Sequence, residues 1–171
     1  ESYSELLRIL RGAAVYPCGK RNGDHMSMYG VNCTVPKTLV RFIVRYYADT
    51  CANERLAAVL YDILDTPVSP ELVPSKPGEI NQRTEDILGT YELHDFFLYY
   101  MIRGGYSPDK LFRIARLSFA GKYDDEYIKK TLTLFCRRFF AQQFKRSCIP
   151  DGVKVGTVAL SPRGDWRMSS D

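Results

Sequence analysis

Apolar side chains recur roughly every three to four positions along much of the chain, the spacing of a buried helix face. Over 36–47 the stripe is Leu39, Phe42/Ile43 and Tyr46/Tyr47. Pro36 suits the first helical position, where its missing N–H costs nothing, and Thr34 is placed to cap the turn. A second helix is predicted over 53–64, with Asn53 as cap, Glu54 in the first turn, and Leu56, Val59/Leu60 and Ile63/Leu64 facing inward. The stretch 91–103 is the most apolar, with Phe96, Phe97, Tyr100 and Met101 at its centre and Gly104-Gly105 to end it. Ser107-Pro108-Asp109 opens the next helix, which runs to about 119. The last spans 125–144 and buries Ile128, Leu132, Phe135 and Phe139. A shorter stretch over 4–10 sets Leu6, Leu7 and Leu10 on one side. The expectation is a mainly α-helical chain.

Three regions break the period. Between Gly12 and the first long helix, Pro17, Gly19, Asn22, Gly23 and Asp24 are loop chemistry, followed by a polar run studded with Met and Tyr. The connection 65–89 carries Pro67, Pro70, Pro74, Pro77 and Gly78, which preclude a helix through its first half. Loops of that length inside a compact domain are lids, binding loops or linkers. No complete domain lies on either side, which favours a lid. The third region, 144–171, follows the last helix and loses all periodicity. It holds the only Trp, five Lys/Arg and several turn residues, so it belongs at a surface. Its cations suit a phosphate or carboxylate. An ordinary solvated tail fits its composition equally well.

Composition narrows the function classes. The chain has 171 residues, 45% apolar and 13% aromatic, enough for a real core and against disorder. A net charge of +4 is mild for a nucleic-acid binder and equally suited to a small anion. The basic cluster Lys129, Lys130, Arg137 and Arg138 reads as a solvated helix face or as a nucleic-acid face. No apolar run is long enough to span a membrane, and no signal peptide is visible. The five cysteines lack metal-ligand spacing and read as reduced thiols. His25 and His94 are too few for a His-rich metal site. Lys37 stands in a first helical turn, where a cation opposes the helix dipole. An anion bound beside the helix start would offset that cost, and a plain solvated lysine also fits. There is no GxxxxGK[ST], GxGxxG, HExxH or CxxC.

Four stretches carry more specific information. The first is Gly23-Asp-His-Met-Ser-Met-Tyr-Gly-Val-Asn with Val35-Pro-Lys-Thr-Leu. The second is Leu64-Asp-Thr-Pro-Val-Ser-Pro-Glu-Leu-Val-Pro. The third is Leu88-Gly-Thr-Tyr-Glu-Leu-His-Asp-Phe with Gly105-Tyr-Ser-Pro-Asp-Lys. The fourth is Gln143-Phe-Lys-Arg-Ser-Cys-Ile-Pro-Asp-Gly-Val-Lys-Val-Gly with Leu160-Ser-Pro-Arg-Gly-Asp-Trp-Arg. In this order they resemble the synthetase domain of the glutamine-dependent NAD synthetase family, over roughly 23–171.

The resemblance implies an α/β parent domain with a Rossmann-like adenine nucleotide alpha-hydrolase (ATP pyrophosphatase) fold. Residues 1–171 would be its C-terminal, mainly helical part, with 65–89 as lid and 144–171 as a substrate-side terminal loop. The implied reaction has two steps: ATP adenylylates the nicotinate carboxylate of deamido-NAD, and ammonia from a glutaminase domain then gives NAD and AMP. ATP and Mg2+ are the implied substrate and metal, with no prosthetic group. By the same resemblance Lys37 and Ser69 contact ATP, Asp24, Phe144 and Lys145 contact deamido-NAD, and Glu5 helps to hold Mg2+. A cytoplasmic homo-oligomer is implied, without nucleic-acid or membrane partners.

Two departures stand beside the match. The stretch 7–21 is several residues longer than the family pattern. The Ser-Gly-Gly-x-Asp-Ser loop that grips pyrophosphate is absent from the chain and expected upstream, with the glutaminase domain. The chain alone is therefore expected to be inactive. Two other readings compete: a basic helical module binding nucleic acid, and a structural oligomerisation module with the aromatic helix over 91–103 as its interface. The resemblance assigns Arg163 and Arg167 no role beyond shaping the wall of the terminal loop or meeting a neighbouring domain.

Overall fold

The structure is a computed structural model and describes residues 34–66, 88–147, 152–161 and 163–169, the Lys145 side chain aside. Helices dominate, and no strand forms among the described residues. The expected helix over 4–10 and nearly all of the expected lid over 65–89 lie outside them.

Helix α1 (Lys37–Thr50) and helix α2 (Glu54–Asp65) pack together as a pair. Asn53 caps α2 as expected, its Oδ1 accepting from the Leu56 N–H at 3.2 Å. Arg41 Nη2 donates to the Leu64 carbonyl at 2.8 Å, and the Tyr61 hydroxyl donates to Asp49, tying the two helices at their surfaces. The core of the pair is Val35, Val40, Val44, Ala48 and Leu60, with Leu56, Ile63 and Leu64 against it.

The buried face of α1 differs from the expected one. Leu39, Phe42, Ile43, Tyr46 and Tyr47 are all exposed, Phe42 at 66% and Tyr46 at 70%. The helix instead turns Val40, Val44 and Ala48 inward. Both sets repeat at helical spacing, so periodicity alone cannot choose between them. The side chains at 40, 44 and 48 are small and lie one turn apart, and they let α2 approach closely through Leu60.

Three longer helices form a second unit: α3 (Tyr91–Gly104), α4 (Pro108–Ser118) and α5 (Asp125–Ala141). Each packs against the other two. Leu93, Phe97, Leu111 and Ile128 are fully enclosed at the centre. The Phe97 and Phe135 rings are 5.7 Å apart, and Phe135 meets Phe139 at the same distance. Of the residues expected at the middle of α3, Phe97 is core, while Phe96, Tyr100 and Met101 are partly buried and pack against it. Gly105 closes α3 in the left-handed conformation, φ 61°, with its N–H on the Met101 carbonyl. The basic cluster of α5 is exposed, as a solvated face would be.

The last helix ends sooner than expected, at Ala141, and a separate turn follows, α6 (Gln143–Ser147). Gln142 breaks the run with φ −106° and ψ 16°. The segment after it is no solvated tail where described. Ala159 and Leu160 are buried, and Leu160 joins the core of the bundle.

No helix among the described residues is long and apolar enough to cross a membrane. Cys51 and Cys136 carry free thiols, and burial pushes the Cys136 thiol up from its ordinary range.

Candidate functional site

The start of α1 is built by residues far away in the chain. Thr34 does not cap it: the Thr34 hydroxyl donates to the Val153 carbonyl at 3.3 Å and accepts from the Val155 N–H at 3.0 Å. Pro36 is the cap residue rather than the first helical one, and it offers no side-chain acceptor. The free N–H at Thr38 is met instead by Asp95 of α3, whose Oδ2 lies at 3.1 Å and also accepts from the Thr38 hydroxyl. This carboxylate supplies the negative charge that the first turn of α1 lacks in its own sequence. It also meets the dipole cost of Lys37 from within the fold.

Lys37 is half-buried beside it. Its Nζ donates to the Tyr91 hydroxyl at 3.4 Å and lies 4.7 Å from the centre of that ring. Tyr91 opens α3, and Gly89 sets its entry with φ 85°. A Cβ on Gly89 would meet the Thr131 side chain of α5 at 2.8 Å, so only glycine fits both the backbone and the space. His94, one turn along, is buried, and its Nε2 donates to the Leu88 carbonyl at 2.6 Å. Burial lowers its pKa, keeping the ring neutral, and the Leu88 bond and Asp95 oppose this in part. It is a structural histidine that pins the loop before α3.

The terminal segment reaches both this helix start and α6. At one end Val153 and Val155 hold Thr34. At the other, Trp166 packs edge-on against Phe139 with ring centres 5.0 Å apart. Between them a turn is fixed by Asp165, which accepts from the Ala159 N–H at 2.8 Å and pairs with Lys154 at 2.8 Å. Those two bonds, Lys154 first, hold its carboxyl below the usual range.

Gln143 joins the segment to the bundle. Its Oε1 accepts from Trp166 Nε1 at 3.0 Å and from Arg146 Nη2 at 2.9 Å, and its Nε2 donates to the Met168 carbonyl at 3.1 Å. Arg146 is buried over the Phe139 ring, 4.0 Å from its centre, and donates to the Phe139 carbonyl. Burial pulls its guanidinium down to about 10, still charged at neutral pH. α6, the turn that carries Phe144 and Lys145, is thus locked on both sides of them.

No protein-family model matches the chain. Individual relatives do. The glutamine-dependent NAD(+) synthetase of Mycobacterium leprae (strain TN) is 39% identical over an aligned 168 residues, covering 87% of this chain and 25% of that protein. Those of Mycobacterium bovis (strain ATCC BAA-935 / AF2122/97) and Mycobacterium tuberculosis (strain ATCC 25618 / H37Rv) are 38% identical over the same shares. This chain is a homologue of part of glutamine-dependent NAD(+) synthetase. It spans about a quarter of the length of the curated relatives it matches.

Of the residues that the likeness to NAD synthetase singled out, two lie fully within the described residues. Lys37 sits at the seam of α1 and α3, and Phe144 is exposed on α6. Lys145 lies in α6, with its side chain outside the described residues, as are Glu5, Asp24 and Ser69. Among the described residues no group of three His, Cys, Asp or Glu side chains could hold a metal ion. Glu5, the acid that the resemblance implies for Mg2+, lies outside them, and the chemistry assigned to the described residues involves no metal.

Three residues that organise the site had no role in the sequence reading: Tyr91, Asp95 and Gln143. Tyr91 and Asp95 stand four apart in Tyr-Glu-Leu-His-Asp, one turn on one helix face, and that spacing was the available signal. What it could not give was the identity of the facing helix.

Proposed function

We propose that this chain is part of an enzyme that amidates deamido-NAD to NAD at the expense of ATP, with ammonia drawn from glutamine. The nicotinate carboxylate attacks the α-phosphorus of ATP and pyrophosphate leaves. Ammonia then adds to the acyl carbon of the adenylate, and AMP departs as the amide forms. Residues 1–171 belong to the synthetase domain, of Rossmann-like ATP pyrophosphatase fold, with 65–89 closing over the adenylate to exclude water. The pyrophosphate-gripping loop and the glutaminase lie in sequence beyond the quarter that this chain matches. A cytoplasmic homo-oligomer completes the reading.

Within it Lys37 binds ATP phosphate together with Ser69, and Lys145 binds deamido-NAD with Phe144 and Asp24. Glu5 remains the candidate metal-side acid. The likeness to the NAD synthetases along 87% of the chain carries this reading. The two rigid mounts, α1 on Asp95 and α6 on Gln143, support it, because a lysine that meets a phosphate or a dinucleotide needs a fixed base.

The test uses the complete polypeptide with Lys145→Ala. Use of deamido-NAD should fall by about ten- to a hundredfold, the scale of a lost charge-assisted contact, while glutamine hydrolysis falls far less. Equal loss of both activities would remove Lys145 from the substrate site.

A further inference from the structure

Lys37 has four side-chain torsions and would bind phosphate poorly if its head group were free to wander. In the structure the head group is held. Tyr91 accepts one of its three N–H donors at 3.4 Å and sets its ring 4.7 Å from the ammonium. Tyr91 itself cannot move, since it is buried at the start of α3. One turn on, Asp95 holds the Thr38 N–H and hydroxyl, fixing the backbone that carries Lys37. One face of α3 therefore sets both the root and the tip of the lysine.

We infer that Tyr91 and Asp95 are positioning residues for nucleotide phosphate binding by Lys37. The inference rests on the reading of Lys37 as an ATP contact. It adds that the negative Asp95 carboxylate already stands at the start of α1, on the Thr38 N–H, so phosphate meets the lysine head and not this helix end. The gain is preorganisation: the side-chain freedom is lost on folding and not on binding.

Steady-state kinetics of the complete polypeptide test this with Lys37→Ala, Tyr91→Phe and their combination. Tyr91→Phe keeps the ring and removes only the hydroxyl, so its melting temperature should stay close to that of the parent. Lys37→Ala should raise the KM for ATP by about ten- to a hundredfold. Tyr91→Phe should raise it by about three- to tenfold, part of the entropy of one long side chain, and leave the KM for deamido-NAD in place. In the Lys37→Ala background Tyr91→Phe should do nothing further to the ATP KM, since the two act as one unit. Asp95→Asn, which keeps the acceptor and removes the charge, should likewise raise the ATP KM and lose that effect without Lys37.

Effects of Tyr91→Phe and Asp95→Asn that are the same with and without Lys37 would overturn the inference and leave the Lys37 reading intact. So would an ATP KM unmoved by Tyr91→Phe while Lys37→Ala raises it. An ATP KM unmoved by Lys37→Ala would overturn both.

Discussion

The α1–α2 pair and the α3–α5 bundle are built from similar sequence yet bury it differently. The bundle encloses large aromatic and branched side chains on three helices, and Phe97 is fully buried among them. The pair encloses a thin aliphatic seam and leaves the five largest apolar side chains of α1 outside. A helix packed closely on two neighbours can bury a broad face, whereas α1 packs mainly on α2, meets α3 at its start and buries a narrow stripe. The site lies where the two units touch, with Lys37 from the pair and Tyr91 and Asp95 from the bundle.

The largest effect should come from the bundle. Phe97→Ala should cost about 3–5 kcal/mol in denaturant unfolding, through lost burial and the cavity left behind. A loss no greater than that of an exposed substitution would mean that the bundle is not the dominant core.

A pH titration sharpens the contrast at intermediate scale. His94 has a folded pKa below its ordinary 6.5, chiefly because it is buried. Below 6.5 the unfolded chain takes up a proton that the folded chain refuses, so stability should fall as the pH drops from neutrality towards the folded value. His94→Gln should flatten that part of the stability profile, measured by chemical denaturation at successive pH values. An unchanged slope would mean that the His94 ring is not held neutral.

The smallest effect belongs to the pair. Phe42→Ser on the exposed face of α1 should shift stability by no more than about 0.5 kcal/mol, despite removing an aromatic ring. A cost comparable to that of Phe97→Ala would restore the stripe that periodicity suggests.

Much of the helical layout was legible in the sequence. The Asn53 cap, the Pro108 start, the Gly104-Gly105 stop and the inward stripe of α5 all stand where local chemistry puts them. The inward face of α1 was not, because two stripes share its period and the shape of α2 decides between them. The break at Gln142 has no Gly or Pro to announce it; the Gln143 network with Arg146, Trp166 and Met168 accompanies the new turn. Lys37 was visible as a cation at a helix start. Its partner was not, since Tyr91 is 54 positions away and the contact is tertiary. Thr34 looked like a local cap because nothing nearby in sequence competes for its hydroxyl, whereas in the fold the terminal segment takes it.

The most direct test of the account follows pyrophosphate and NAD together, in the complete polypeptide supplied with ATP, deamido-NAD and glutamine. The adenylate route predicts that the two appear in equal amounts and that both depend on deamido-NAD. NAD formed without pyrophosphate, or no NAD at all from an otherwise folded and ATP-binding protein, would contradict it.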